Sequence, residues 1–128
     1  DAKRTLGELF EDLVKAHQAG IVYGDRWPHN ILVDPALGAI NIDFDLKLEG
    51  PGKELDLAQV IFYAIALDKD RSPAALASLL RNVQKDYDFN LIKKFVGTKE
   101  LRSRKKYGDL SGVFQDLFEP LCMTNSEP

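Results

Sequence analysis

Three side chains with oxygen donors, Asp25, Asn30 and Asp43, stand five and then thirteen residues apart, in the stretches "GIVYGDRWPHNILVD" and "INIDFD". Oxygen ligands suit a hard divalent cation, and Mg²⁺ accepts few protein ligands, completing its shell with phosphate and water. A carboxylate beside such an ion can take the proton of an attacking hydroxyl, or orient that hydroxyl for in-line attack. Together, these residue types point to metal-assisted chemistry at a phosphate. Singly they are ordinary, since Asp25 and Asn30 also serve as turn-formers through their own side chains.

The elements that must position them are local. "NILVD" and "AINID" read as short β-segments joined by "PALG", a turn built from Pro35 and Gly38. Antiparallel pairing places the start of the first segment near the end of the second. Asn30 then meets Asp43 and the two share the cation, with Asp25 facing the same cleft.

Helices flank this hairpin. Leu6, Leu9, Phe10, Leu13, Val14 and His17 follow the helical i, i+3, i+4, i+7 pattern, predicting an amphipathic helix over 6–19. Thr5 and Glu8 form a capping box at its start, and Gly20 suits its C-terminal cap. Asp56 and Gln59 repeat the capping pattern ahead of a segment, 56–68, that is apolar on every side and belongs at the centre of the fold. Ser72-Pro73 opens a helix expected to run to about Tyr87. A short helix is expected from about Asn90 to Val96, ending at Gly97, and another over 111–121. The predicted class is α+β, mostly α, with one short β-hairpin carrying the metal-binding motif.

Composition bounds the setting. The 128 residues are 45% apolar and 29% charged, as expected of a soluble, ordered domain. The only cysteine is Cys122, which excludes an internal disulfide and fits a reducing, cytoplasmic location. The longest apolar run, "VIFYAIAL", is too short to span a bilayer, so no membrane partner is expected. Residues 93–106 carry seven Lys/Arg against one Glu, a local charge of +6 in a chain whose net charge is −3. Such a run is either a solvated helix face or a contact site for phosphate-rich or acidic partners. The end of the chain, 122–128, is polar and reads as a flexible tail.

"GDRWPHNILVD" followed by "INIDFD" resembles the catalytic loop and metal-binding motif of the protein-kinase-like fold, whose loop has the form H-x-D-x-x-x-x-N, followed by D-F-G. Asp25 matches that family's catalytic aspartate, Asn30 its metal-binding asparagine, and Asp43 the aspartate of D-F-G. Asp56 is similar to the aspartate that opens the family's buried central helix and braces the catalytic loop. "GD" in place of "RD" points away from ordinary eukaryotic protein kinases, and the thirteen residues from Asp43 to Asp56 leave no activation segment. "LIKKFVGTKELRSRKK" resembles the basic tail of small atypical kinases of the KEOPS type, with RIO-type kinases close behind. The aminoglycoside-phosphotransferase-like group is the rival, and Trp27-Pro28 fits its loops well.

The resemblance implies a kinase-like C-terminal lobe over 1–121 that uses ATP and Mg²⁺ to transfer or hydrolyse a γ-phosphoryl group. Asp25 would be catalytic and Asn30 and Asp43 metal-binding. By analogy Leu32 and Ile42 would lie beneath the adenine, a reading no better than plain hairpin core residues. No G-x-G-x-x-G and no V-A-I-K-like strand occurs, so the N-terminal lobe is missing and the isolated chain is expected to be inactive. The basic 93–106 segment would serve partner proteins or tRNA. Four departures favour a second reading, a catalytically dead lobe kept for binding. Tyr23 stands where histidine is usual, Arg26 replaces an apolar residue, Trp27 a phosphate-contacting lysine, and Asp45 the glycine of D-F-G.

Overall fold

Helix α1, Leu6–Gln18, buries Leu6, Leu9, Phe10 and Leu13 on the face its apolar spacing predicts. The computed structural model describes residues 6–22, 31–33, 40–42, 52–70 and 72–123, with the backbone alone at 31–33, 40–42 and Met123. After α1 the chain closes in a paired C-terminal motif. Gly20, at φ 84°, donates its N–H to the His17 carbonyl, and Ile21 donates to that of Ala16. The positive φ is the reason for glycine there, because a Cβ is strained in that region.

Helix α2, Gly52–Leu67, is buried without a break from Glu54 to Ile65. It packs against α1, α3 and α4, as a helix with no polar face must. Phe62 at its middle stacks on Phe114, centroids 5.8 Å apart, and meets Tyr63 and Tyr107 edge-on. Each such fully buried large side chain stabilises the fold by roughly 1.5–3 kcal/mol. The helix begins four residues ahead of the predicted cap, so Asp56 lies inside it.

Helix α3, Ser72–Asn82, begins at a buried serine whose hydroxyl donates to the Ala64 carbonyl at 2.7 Å. That bond gives a second donor to a carbonyl near the end of α2 that already accepts the Asp68 N–H. The helix stops at Asn82, and a 3-10 turn, Gln84–Asp86, takes over before Tyr87.

Helix α4, Phe89–Tyr107, runs straight through Gly97, where the sequence predicts an end. The Asp88 carboxylate caps it by accepting the N–H groups of Asn90 and Leu91. Phe89, Ile92, Phe95, Val96 and Glu100 are buried on its inner side. That packing outweighs the roughly 1 kcal/mol that one glycine costs a helix interior. The true end is Gly108, at φ 84°. Helix α5, Ser111–Met123, closes the body against α3 and α4 and extends two residues past the expected tail boundary. The rest of that tail lies outside the described residues. No helix among the described residues is long and apolar enough to cross a membrane.

The fold class therefore needs correction. The packed body is helical, not the α+β arrangement of a kinase-like C-terminal lobe. The strand segments β1, Ile31–Val33, and β2, Ile40–Ile42, pair antiparallel but are three residues each. A ribbon of that length cannot act as a layer of the fold, since two isolated strands are marginal in water. The core is made by helix faces covering one another. The turn expected at 35–38 and the motif residue Asp43 lie outside the described residues.

Candidate functional site

The sequence places its candidate chemistry between α1 and α2. Asp25, Asn30 and Asp43 lie outside the described residues. The backbone around them is informative. Ile31 is the register partner of Ile42, Leu32 of Asn41, and Val33 of Ile40. Asn30 immediately precedes Ile31 in the chain and Asp43 immediately follows Ile42. Leu32 and Ile42, the expected floor beneath an adenine, are at neighbouring register positions and are not paired with each other.

The helices on either side of this segment are joined by a buried chain of polar groups. His17 projects from the last turn of α1, with its Nε2 3.0 Å from Asp56 Oδ2 and its Nδ1 2.6 Å from the Tyr87 hydroxyl. The histidine and aspartate side chains are 3% and 0% exposed. The Tyr87 ring meets the imidazole edge-on at 5.6 Å. Burial, first, and then the nearby carboxylates of Asp86, Glu54 and Asp56 push the Tyr87 phenol well above its ordinary value of 10.0. Its proton therefore stays on. The phenol can donate to Nδ1, leaving Nε2–H to donate to the Asp56 carboxylate, so the contacts are satisfied without an imidazolium. A phenol held in this way is a poor nucleophile. The arrangement positions helices and does not attack substrates.

More contacts lock the same corner. Lys53 donates to the Asp86 carbonyl at 2.9 Å, and its ammonium stands 5.3 Å from the Tyr87 ring centroid. The buried Glu54 accepts the Asp88 N–H at 3.0 Å. Val14, His17, Gln18, Lys53, Asp86 and Tyr87 line an open cleft of about 160 Å³. Close by, Gly52 lets the chain leaving α1 approach the start of α2, because a Cβ at position 52 would overlap the Val22 side chain.

Sequence reasoning gives His17 no role beyond a place on the apolar stripe of α1, and makes Asp56 a helix cap or a brace. The usable signal is that both are ionisable residues on faces otherwise written for burial. Among the described residues no group of three His, Cys, Asp or Glu side chains is placed to hold a metal ion. Comparison with family models, curated proteins and solved structures finds no match for this chain.

Proposed function

We propose that this chain carries the metal- and proton-handling part of an ATP- and Mg²⁺-dependent phosphotransferase or ATPase. Asp25 is the group that accepts or orients the proton of the attacking hydroxyl, and Asn30 and Asp43 are the Mg²⁺ ligands. The observation that carries this reading is the register of the ribbon, in which Ile31 pairs with Ile42. The two proposed ligands are the next residues outward from that pair along the chain. The His17–Asp56–Tyr87 chain adds support, because it fixes α1 against α2 on both sides of the segment that holds all three residues. Transfer at phosphorus depends on positioning and charge stabilisation, and little on covalent chemistry by the protein.

Calorimetric titration of this chain with Mg·ATP, and a phosphate-release assay on a longer protein that carries it together with a phosphate-covering lobe, test the proposal together. Asp43→Asn should weaken Mg·ATP binding by about tenfold or more, since even outer-shell changes at metal sites cost that much. Asp25→Asn should leave binding intact and lower turnover. Unchanged Mg·ATP affinity in Asp43→Asn would remove the metal role and the proposal with it.

A further inference from the structure

Helix α4 has two contrasting sides. At about 100° per residue, Lys94, Leu101 and Lys105 fall almost on one line, with Thr98 and Arg102 beside it. Lys94, Arg102 and Lys105 are exposed, and Leu101 is 66% exposed. Lys93 and Lys106 flank the row and are exposed too.

Three of the helix's seven cations are already engaged, Lys106 over the Tyr107 ring among them. Arg104 is held by Glu100 at 2.7 Å, with Asp109 3.6 Å away, and Lys99 stands over the Phe62 and Tyr63 rings. Lys94, Arg102 and Lys105 have no ion-pair partner among the described residues. Because the chain as a whole is −3, this positive face belongs to an otherwise acidic molecule.

We infer that the solvent face of α4 is a docking surface for duplex nucleic acid, held through the phosphate backbone without base readout. The row from Lys94 to Lys105 extends about 16 Å along the helix at 1.5 Å per residue, long enough to meet several phosphates. Its charge is mostly lysine, a compact ammonium suited to phosphate contact that ignores sequence. A row of cations this long complements the continuous charge of a duplex, about one phosphate per 1.7 Å of its axis, whereas Arg104, one of the two arginines here, is already turned onto Glu100. The large apolar side chains exposed among the described residues are Ile21 and Leu101, and neither is aromatic. A single strand would need exposed rings on which its bases could stack, so the face suits a duplex. This inference stands apart from the phosphotransfer proposal and uses none of its residues.

The test is fluorescence anisotropy of the whole chain with a labelled DNA duplex of about two helical turns, from 50 to 200 mM salt, the range over which counterion release is read. Binding in the range of about 10⁻⁴–10⁻⁶ M is expected, with log K falling against log salt at a slope of about −3 for three contacts. Lys94→Gln, Arg102→Gln and Lys105→Gln should each reduce the slope by about one, with helical circular dichroism unchanged. Lys15→Gln on α1 should leave the slope alone. No binding at the lowest salt would overturn the inference, as would a slope that survives the three changes combined. Tighter binding of poly-glutamate would assign the face to an acidic protein, and tighter binding of the matching single strand would exclude a duplex. Either result overturns the inference as stated.

Discussion

Replacing Glu100 should show how one buried carboxylate joins α4 to α5. Its Oε2 accepts the Leu110 N–H at 2.9 Å and the Arg104 Nε–H at 3.1 Å, while Oε1 accepts from Arg104 Nη2 at 2.7 Å. The glutamate side chain is 3% exposed, and Leu110 is buried. Glu100→Ala leaves the Leu110 amide without an acceptor, which costs roughly 1–3 kcal/mol. Arg104 is partly exposed and can turn to water or to Asp109, so its half of the contact adds little. A loss of about 1–3 kcal/mol should lower the melting temperature by about 4–12 °C in a chain of this length. Glu100→Gln keeps an acceptor for Leu110 and loses only the charge, so it should cost about 1 kcal/mol, near the net worth of one hydrogen bond.

The pH dependence separates these two effects. Hydrogen bonding from Arg104, ahead of that from Leu110, holds the Glu100 carboxyl below its ordinary value of 4.5. A carboxyl with a lowered folded value stabilises the protein above its unfolded value, and that contribution is lost as pH falls through the folded one. The stability gap between the natural chain and Glu100→Gln should therefore be full at neutral pH and should close below about pH 4. Urea melts across pH 3–7 would read both quantities. An alanine variant as stable as the natural chain, or a glutamine gap that ignores pH, would show that the carboxylate does not join the two helices.

His17→Leu removes the hydrogen bonds to both Asp56 and Tyr87 and should cost about 2–3 kcal/mol in urea melts, whereas Tyr87→Phe, which frees only one ring nitrogen, should cost about 1–2 kcal/mol. A loss no larger for His17→Leu than for Tyr87→Phe would contradict the central place of the imidazole. Gly97→Ala should raise stability by about 0.5–1 kcal/mol, because a Cβ there meets nothing within 4 Å and the site lies inside a helix; a lower melting temperature would refute this.

Much of the helical frame is legible in the residues. The apolar stripe of α1 and the glycine that ends it are local signals, and they act locally. The burial of α2 also follows from a segment without a polar side. Its start does not, because Asp56 followed by Gln59 reads equally well as a cap and as a buried acid awaiting a partner. That partner is His17, 39 residues away, and no local pattern records it. Tyr87 is 70 residues from the histidine it touches, and a helix predicted to run through it hides the turn that aims it there. At Gly97 the stop signal is overruled by packing on both sides of it: Phe95 and Val96 are buried before it, and beyond it Glu100 is buried and Tyr107 meets Phe62 of α2. The α+β class fails for a related reason. Local β preference makes two short segments pair, but at three residues each they are too short to act as a layer. Asp25, Asn30 and Asp43 are legible as a spacing of oxygen donors, and the paired backbone between Asn30 and Asp43 is the part of that spacing seen directly.

The connection between α3 and α4 holds more than its length suggests. Gln84 donates to the Leu121 carbonyl of α5, Asp86 accepts from Lys53 of α2, Tyr87 meets His17 of α1, and Asp88 caps α4 while donating to Glu54. Four residues within a run of five thus act as a keystone shared by four helices. Short connections ordinarily loosen ahead of the elements they link. Here loosening would free every one of those helices at once, so this stretch should open only when the whole molecule does.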